Sequence, residues 1–253
     1  EAGRIHLGAP LRVASLQLKA KISSLLPPQR VLSKTTGRGM TESLVRHGIR
    51  AILADDLTGA CDTGVKFLDK GSPTYVSLYN RILSAPQGGT QVICTLSRSL
   101  APTEAANRVR HALRALQPMR GCLVYKKMDS TLHGNLGAEI VATREELDWS
   151  LAIVAPAHPR MGRRVIDGQL VLGDMRSPTG RHLPELLENQ LDCSIYHLPL
   201  TDLRRGSSSL IAQLETIVQR RDSVVAADTE TEDDLSALAD AIASFPRPVL
   251  PVG

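Results

Sequence analysis

The stretch Asp55-Asp-Leu-Thr-Gly-Ala60 follows an apolar run and opens a helix-like segment, so two carboxylates and a hydroxyl sit where a strand gives way to a helix. The first free N–H groups of a helix and its positive dipole end attract carboxylate or phosphate, and Gly59 lets a ligand approach the backbone closely. Asp56 or Thr58 acting only as a helix cap is the simpler reading of the same residues. A second dense segment is Lys126-Lys-Met-Asp-Ser-Thr-Leu-His-Gly134. Its cations, Asp129 and the Ser130 hydroxyl could hold a polyhydroxylated anion, with lysine as a point charge and the carboxylate accepting hydroxyl protons. A solvated loop with an internal Lys127–Asp129 pair is the alternative. Arg98 could clamp a carboxylate with its guanidinium fork or simply lie on the surface. His133 and His158 stand alone and read as loop hydrogen-bonders.

These residues need a common frame, and the alternation along the chain supplies one. Apolar, strand-like runs are Ile49–Ala54, Tyr75–Leu78, Gln91–Thr95, Cys122–Tyr125, Leu151–Ala155, Ser194–Leu198, Ser223–Ala227 and Val249–Val252. Helix-like stretches separate them: one closed by Gly71, one opened by Pro102 with Ala105, Val109, Ala112, Leu113 and Leu116 on one face, one from Gly134 to Trp149, and two near 206–220 and 230–243. Pro156 to Gly168 reads as a long polar loop. Alternating strands and helices predict an α/β, doubly wound fold with a mainly parallel sheet and helices on both faces. In such sheets ligands bind beyond the carboxyl ends of the strands. The residues found there are Asp55 and Asp56, Ser97 and Arg98, Lys126 to Ser130, and then His158, Arg160, Arg163 and Arg164. So much charge of both signs on one edge is costly as unpaired buried structure and natural in a cleft for a polar ligand.

Composition removes several classes. Hydrophobic residues at 42% and charged residues at 22% describe an ordinary globular chain. Aromatic residues at 3% are too few for a base-stacking platform. The net charge of +4 comes from the first 39 residues, where seven Lys/Arg meet one acid, leaving 23 bases against 25 acids elsewhere. Nucleic acid is therefore not an expected partner. The four cysteines form no C-x-x-C pair and read as buried thiols of a reducing, cytoplasmic compartment. No apolar run reaches the ~18 residues of a membrane span. Residues 1–45 read as a basic extension, flexible or non-native or a transit-like leader, and 46–253 as the folded domain.

Ala54-Asp-Asp-Leu-Thr-Gly-Ala60, Ser97-Arg-Ser99, Lys126 to Asn135, Ala155-Pro-Ala-His-Pro-Arg-Met-Gly-Arg163 and Ala227-Asp-Thr-Glu-Thr-Glu-Asp-Asp-Leu235 together resemble the N-terminal domain of the four-carbon acid sugar kinase family, in order from about Ile49 to Gly253. The resemblance implies a sugar-acid-binding domain of an ATP-dependent kinase acting on threonate, erythronate or 3-oxo-tetronates. It implies catalytic roles for Asp55 and Asp56, one of them orienting or deprotonating the acceptor hydroxyl. Thr58, Arg98, Lys126, Asp129, Ser130 and Arg163 become substrate-facing positions, beside Gly59, with Lys126 and Arg98 as anchors. ATP and Mg²⁺ would enter through a C-terminal nucleotide-binding domain. No P-loop and no G-x-G-x-x-G occurs in this sequence, so the segment is not expected to be a competent kinase alone. Two departures stand out: Leu96 where the family has Asn, and His133 where it has Arg, a switchable cation for a permanent one.

The partners expected are therefore a small sugar acid and a nucleotide-binding domain, with room for a homo-oligomer. A non-catalytic sugar-acid-binding or interaction protein is the second reading. A receiver domain is disfavoured, because Gln91–Ser97 contains no Asp, and a haloacid-dehalogenase-like phosphatase needs acids two apart, whereas Asp55 and Asp56 are adjacent.

Overall fold

The computed structural model describes residues 49–69, 72–82, 89–116, 123–173, 178–191, 195–219 and 224–253. The expectations for residues 1–45, for Gly71 as a helix end, and for Cys122 and Cys193 lie outside them. The chain runs β1 (Ile49–Ala54), α1 (Leu57–Leu68), β2 (Thr74–Leu78), β3 (Thr90–Cys94), α2 (Pro102–Ala115), β4 (Leu123–Lys127), α3 (Leu136–Leu147) and β5 (Leu151–Val154). A 3₁₀ turn at Pro159–Met161 leads into β6 (Arg163–Ile166), β7 (Gln169–Leu172), β8 (Pro178–His182) and α4 (Leu183–Gln190). The chain closes with β9 (Tyr196–Leu198), α5 (Leu200–Leu203), α6 (Ser207–Gln219), β10 (Val224–Ala227), α7 (Glu232–Ser244) and β11 (Val249–Val252).

Eight strands make one sheet in the order β2-β3-β1-β4-β11-β5-β10-β9. Every pairing in it is parallel, as the fold class requires. Alternation along β1 divides the core: Ile52 and Ala54 point to the face covered by α1, α6 and α7, while Ala51 and Leu53 point to the face covered by α2, α3 and α4. Strands buried on both faces read as continuous apolar runs, which is why β1, β3, β5, β10 and β11 stand out in the sequence. Pro251 sits inside the central β11, where it donates no ladder bond, and β11 pairs with β4 only at Val252↔Lys126.

The order of crossovers sets the site. From β1 the chain leaves through α1 toward the β2 edge, and after β3 it crosses by α2, on the opposite face, to β4. The loops after β1 and β4 therefore part to opposite sides of the sheet, and this switch point opens a crevice between them.

The segment 156–168 is not a long polar loop. It contains the 3₁₀ turn and β6, which pairs antiparallel with β7, itself paired antiparallel with β8. This three-stranded sheet is an addition to the doubly wound frame. Likewise α3 starts at Leu136 rather than at Gly134, because Gly134 has φ +97, outside helical space.

Candidate functional site

The loop after β1 carries the centre of the site. Asp55 is buried, 3% exposed, and accepts Arg98 Nε at 2.6 Å and Nη2 at 3.0 Å, one on each carboxylate oxygen. The same Nη2 lies 2.9 Å from Asp56 Oδ1, and the two acids, Asp55 chiefly, raise the guanidinium pKa above its ordinary value. Asp56 is also the N-cap of α1, its Oδ1 accepting the Gly59 N–H at 2.9 Å. Capping and site chemistry are thus shared by one oxygen, and Asp56 Oδ2 takes no hydrogen bond from the described residues. A Cβ at Gly59 would come within 2.7 Å of Asp56 Oδ1, so glycine keeps this carboxylate in place.

The loops after β3 and β4 are tied to it. Ser97 N–H donates to the Asp55 carbonyl at 2.9 Å, and Asn135 Nδ2 bonds the Ser97 carbonyl at 3.0 Å and that of Leu100 at 2.8 Å. Gly134 approaches closely: a Cβ there would lie 3.3 Å from Arg98 Cγ and 3.4 Å from Asp55 Oδ2. Beneath lies a buried polar network. Lys126 Nζ is 2.6 Å from Glu139 Oε2, both side chains being 2% exposed. Glu139 also accepts the Ser97 hydroxyl, which meets Thr95 Oγ1 at 2.6 Å. Lys127, one residue on, donates to the Met128 carbonyl, and burial pushes its ammonium below the ordinary value, with Asp55 opposing that shift and Lys126 adding to it.

Asp129 accepts Thr131 Oγ1 at 2.5 Å and the His133 ring Nδ1 at 2.8 Å. Partial burial would raise its pKa, but the bonds from Thr131 and His133 outweigh that and bring it down to about 2. Arg181, from β8, reaches His133 Nε2 at 2.8 Å and also donates to the Thr131 carbonyl. A guanidinium only donates, so His133 accepts at Nε2 and carries its proton on Nδ1, facing Asp129. Arg163, from β6, donates to the Ser130 hydroxyl.

The structure thus gathers Asp55, Asp56, Gly59 and Arg98 directly, and brings Asp129, Ser130 and Arg163 to the neighbouring loop. Thr58 is exposed in the first turn of α1, and Lys126 turns inward to Glu139 instead of facing the crevice. Glu139, Asn135 and Arg181 are additions to the sequence reading. Glu139 was signalled by an acid on an otherwise buried helix stripe with Leu136, Ile140 and Thr143. Arg181 carries no signal in the sequence, because Pro178-Thr-Gly-Arg-His182 lacks the alternation of a strand. The lone His158 is half-buried before the 3₁₀ turn. Cys94 is buried as expected, whereas Cys61 is exposed on α1. Among the described residues no helix is long and apolar enough to cross a membrane, and no group of three or more His, Cys, Asp or Glu converges on a point suited to a metal ion.

The chain is thus a doubly wound α/β domain whose switch point gathers a carboxylate pair, an arginine and a hydroxyl-rich loop. The chain belongs to the family of sugar-binding N-terminal domains, whose model matches residues 50–253. It is 32% identical over 215 residues to a D-threonate kinase of Salmonella typhimurium, covering 80% of this chain and 50% of that kinase. A D-erythronate kinase of Heliobacterium modesticaldum is 34% identical, over 74% of this chain and 46% of the kinase. A 3-oxo-tetronate kinase of Methylobacterium radiotolerans is 28% identical, over 75% and 49%. The chain spans about half the length of the curated relatives it matches. Among solved structures, a Bordetella bronchiseptica domain described as a domain-swapped dimer with bound citrate superimposes with TM-score 0.65 at 31% identity, covering 80% of this chain and 52% of that one.

Proposed function

We propose that this chain is the substrate half of an ATP-dependent kinase for four-carbon acid sugars of the threonate, erythronate or 3-oxo-tetronate type. The observation that carries the reading is the asymmetric acid pair at the switch point: Asp55 saturated by Arg98, and Asp56 beside it with Oδ2 open. In this reading Asp56 Oδ2 accepts the proton of the acceptor hydroxyl, and Asp55 fixes Arg98, which in turn fixes Asp56. Asp129, Ser130 and the α1 N-terminus with Thr58 and Gly59 take up the remaining hydroxyls. Lys126 acts from below, pinning β4 to α3. General-base help of this kind contributes typically 10²–10⁴-fold. The kinase names of the relatives and the citrate held by the Bordetella domain support a small hydroxy-acid ligand.

ATP with Mg²⁺ supplies the phosphoryl group in such a reaction. Asp55 is held on both oxygens by Arg98, and among the described residues no three acids, histidines or cysteines converge beside the single open oxygen of Asp56, so the residues described do not fit a Mg²⁺ site of their own. We assign ATP and Mg²⁺ to a nucleotide-binding half and route no step through them here. The reading places the protein in the cytoplasm, where ATP is available. A second copy of the chain is the further partner: β2 is an edge strand with Val76 and Leu78 exposed, and the helix packed against it, α1, exposes Leu57, Val65 and Leu68. The dimer described for the Bordetella domain points the same way. Light scattering should give a dimer for the wild type and a monomer for Val76→Lys; a monomeric wild type removes this partner.

The test of function is calorimetric titration with D-threonate, D-erythronate and 3-oxo-tetronate. Binding of at least one by the wild type, with ATP-dependent phosphorylation of that acid once a nucleotide-binding half is supplied and loss of turnover in Asp56→Asn, is the expected result. Undiminished turnover in Asp56→Asn refutes the base assignment, and binding of none of the acids refutes the reading.

A further inference from the structure

An acid sugar brings a carboxylate into the crevice, and its recognition needs a cation whose charge is not already spent. Arg98 is not one, because two carboxylates share it. Lys126 is closed into its pair with Glu139, and Lys127 is turned onto the Met128 carbonyl with its ammonium destabilised by burial. The antiparallel sheet supplies two other candidates. Arg163 and Arg181 meet adjacent residues of the β4–α3 loop, Ser130 and Thr131, and their side-chain partners among the described residues are uncharged: a hydroxyl, a carbonyl and a neutral imidazole. Both are only half-buried, and neither lies within ion-pair distance of a carboxylate among the described residues.

We infer, on the sugar-acid reading above, that Arg181 together with Arg163 reads the substrate carboxylate and sets the preference for acids over neutral polyols. A guanidinium has five N–H donors, and Arg181 uses one toward Thr131 and one toward His133, which leaves an edge of the fork for a carboxylate. Its orientation is set from behind. Asp129 fixes the His133 proton on Nδ1, which leaves Nε2 to accept from Arg181, so Asp129 and His133 are positioning residues for it. The same loop thus offers hydroxyl-binding groups on the side of Asp55 and Asp56, and unspent positive charge on the side of the antiparallel sheet.

The experiment is calorimetric titration of the whole chain with D-threonate and with threitol, its uncharged analogue. Wild type should favour the acid, and Arg181→Met should cut that acid-over-polyol ratio by roughly ten- to a hundredfold, the size of one lost charge-assisted bond. Arg181→Lys, which keeps charge without the fork, should fall between and serves if the methionine variant does not fold. An unchanged ratio in both variants, or a wild type that binds acid and polyol alike, overturns this inference while leaving sugar-acid binding intact. A wild type that binds no acid overturns the underlying functional reading instead.

Discussion

The two carboxylates after β1 are chemically alike in sequence and unlike in place. Asp55 spends both oxygens on Arg98, whereas Asp56 keeps one free, and the proposed choice of Asp56 as base rests on that difference. Beneath them the Lys126–Glu139 pair is withdrawn from water, where removing one partner leaves an uncompensated charge. Glu139→Gln should therefore cost about 3–5 kcal/mol in urea denaturation, and the double change Lys126→Met/Glu139→Leu should recover most of it. A loss under about 1 kcal/mol for the single variant would show that water reaches the pair and that it does not pin β4 to α3. Asp129 has a pH signature of its own. Its folded pKa, about 2, lies below the ordinary carboxylate value, so the stability it contributes is present above about pH 4 and is lost as pH falls toward 2. The stability gap between wild type and Asp129→Asn should accordingly shrink across that window, and a gap that widens on acidification would contradict the depressed pKa. Asp234, held down to about 2 by Arg204 and the cap of α7, titrates in the same window in both proteins and cancels from the comparison.

At the scale of elements, the crevice depends on how tightly helices and turns seat around it. Gly137 lets α3 meet the end of α4: a Cβ there would stand 2.7 Å from Gln190 Cβ and 2.9 Å from the Gln190 carbonyl oxygen, while the Gly137 N–H donates to Gln190 Oε1 at 2.8 Å. Gly137→Ala should destabilise by about 1–3 kcal/mol in thermal melts, as overpacking does, and a neutral outcome would mean that α4 yields freely. The central parallel strands are legible because they are apolar runs, and the chemistry after β1, β3 and β4 is legible because polar residues follow those runs at once. The antiparallel sheet is not. Arg163 and Arg164 open β6 and Arg181 lies in β8, so neither shows the alternation of a half-buried strand. The signal that was there is Asp167-Gly168, a two-residue turn with φ +49 and +73 joining Ile166 to Gln169, the pattern of a tight hairpin. Lys126 was misplaced for a different reason: the residue type announces charge, but only the fold shows that Glu139, thirteen positions on, lies waiting for it.

For the molecule as a whole, the question is what holds the antiparallel sheet so that its arginines reach the crevice. The contact is made from the far end of the main sheet. Asp228, 1% exposed just after β10, accepts the N–H groups of Asp167 at 2.8 Å and Gly168 at 2.9 Å, and lies 2.9 Å from His197 Nε2. Thr229 and Val165 exchange backbone bonds of 2.9 and 3.0 Å alongside. One buried carboxylate therefore fastens the β6–β7 turn to the doubly wound frame, and through β7 it locates β8 and Arg181. Asp228→Ala leaves two backbone donors of the hairpin and the His197 ring nitrogen of the edge strand β9 without their acceptor, a loss that falls mainly on the hairpin because β1, β3 and β5 make none of these bonds. Hydrogen exchange should then show lost protection across residues 163–172 with β1, β3 and β5 unchanged. The preference for threonate over threitol should fall in the same variant, although neither arginine has been touched. A loosened hairpin with the preference intact would mean that the carboxylate is read from the main sheet after all; lost protection across β1, β3 and β5 as well would show that Asp228 holds the frame itself and not the hairpin alone.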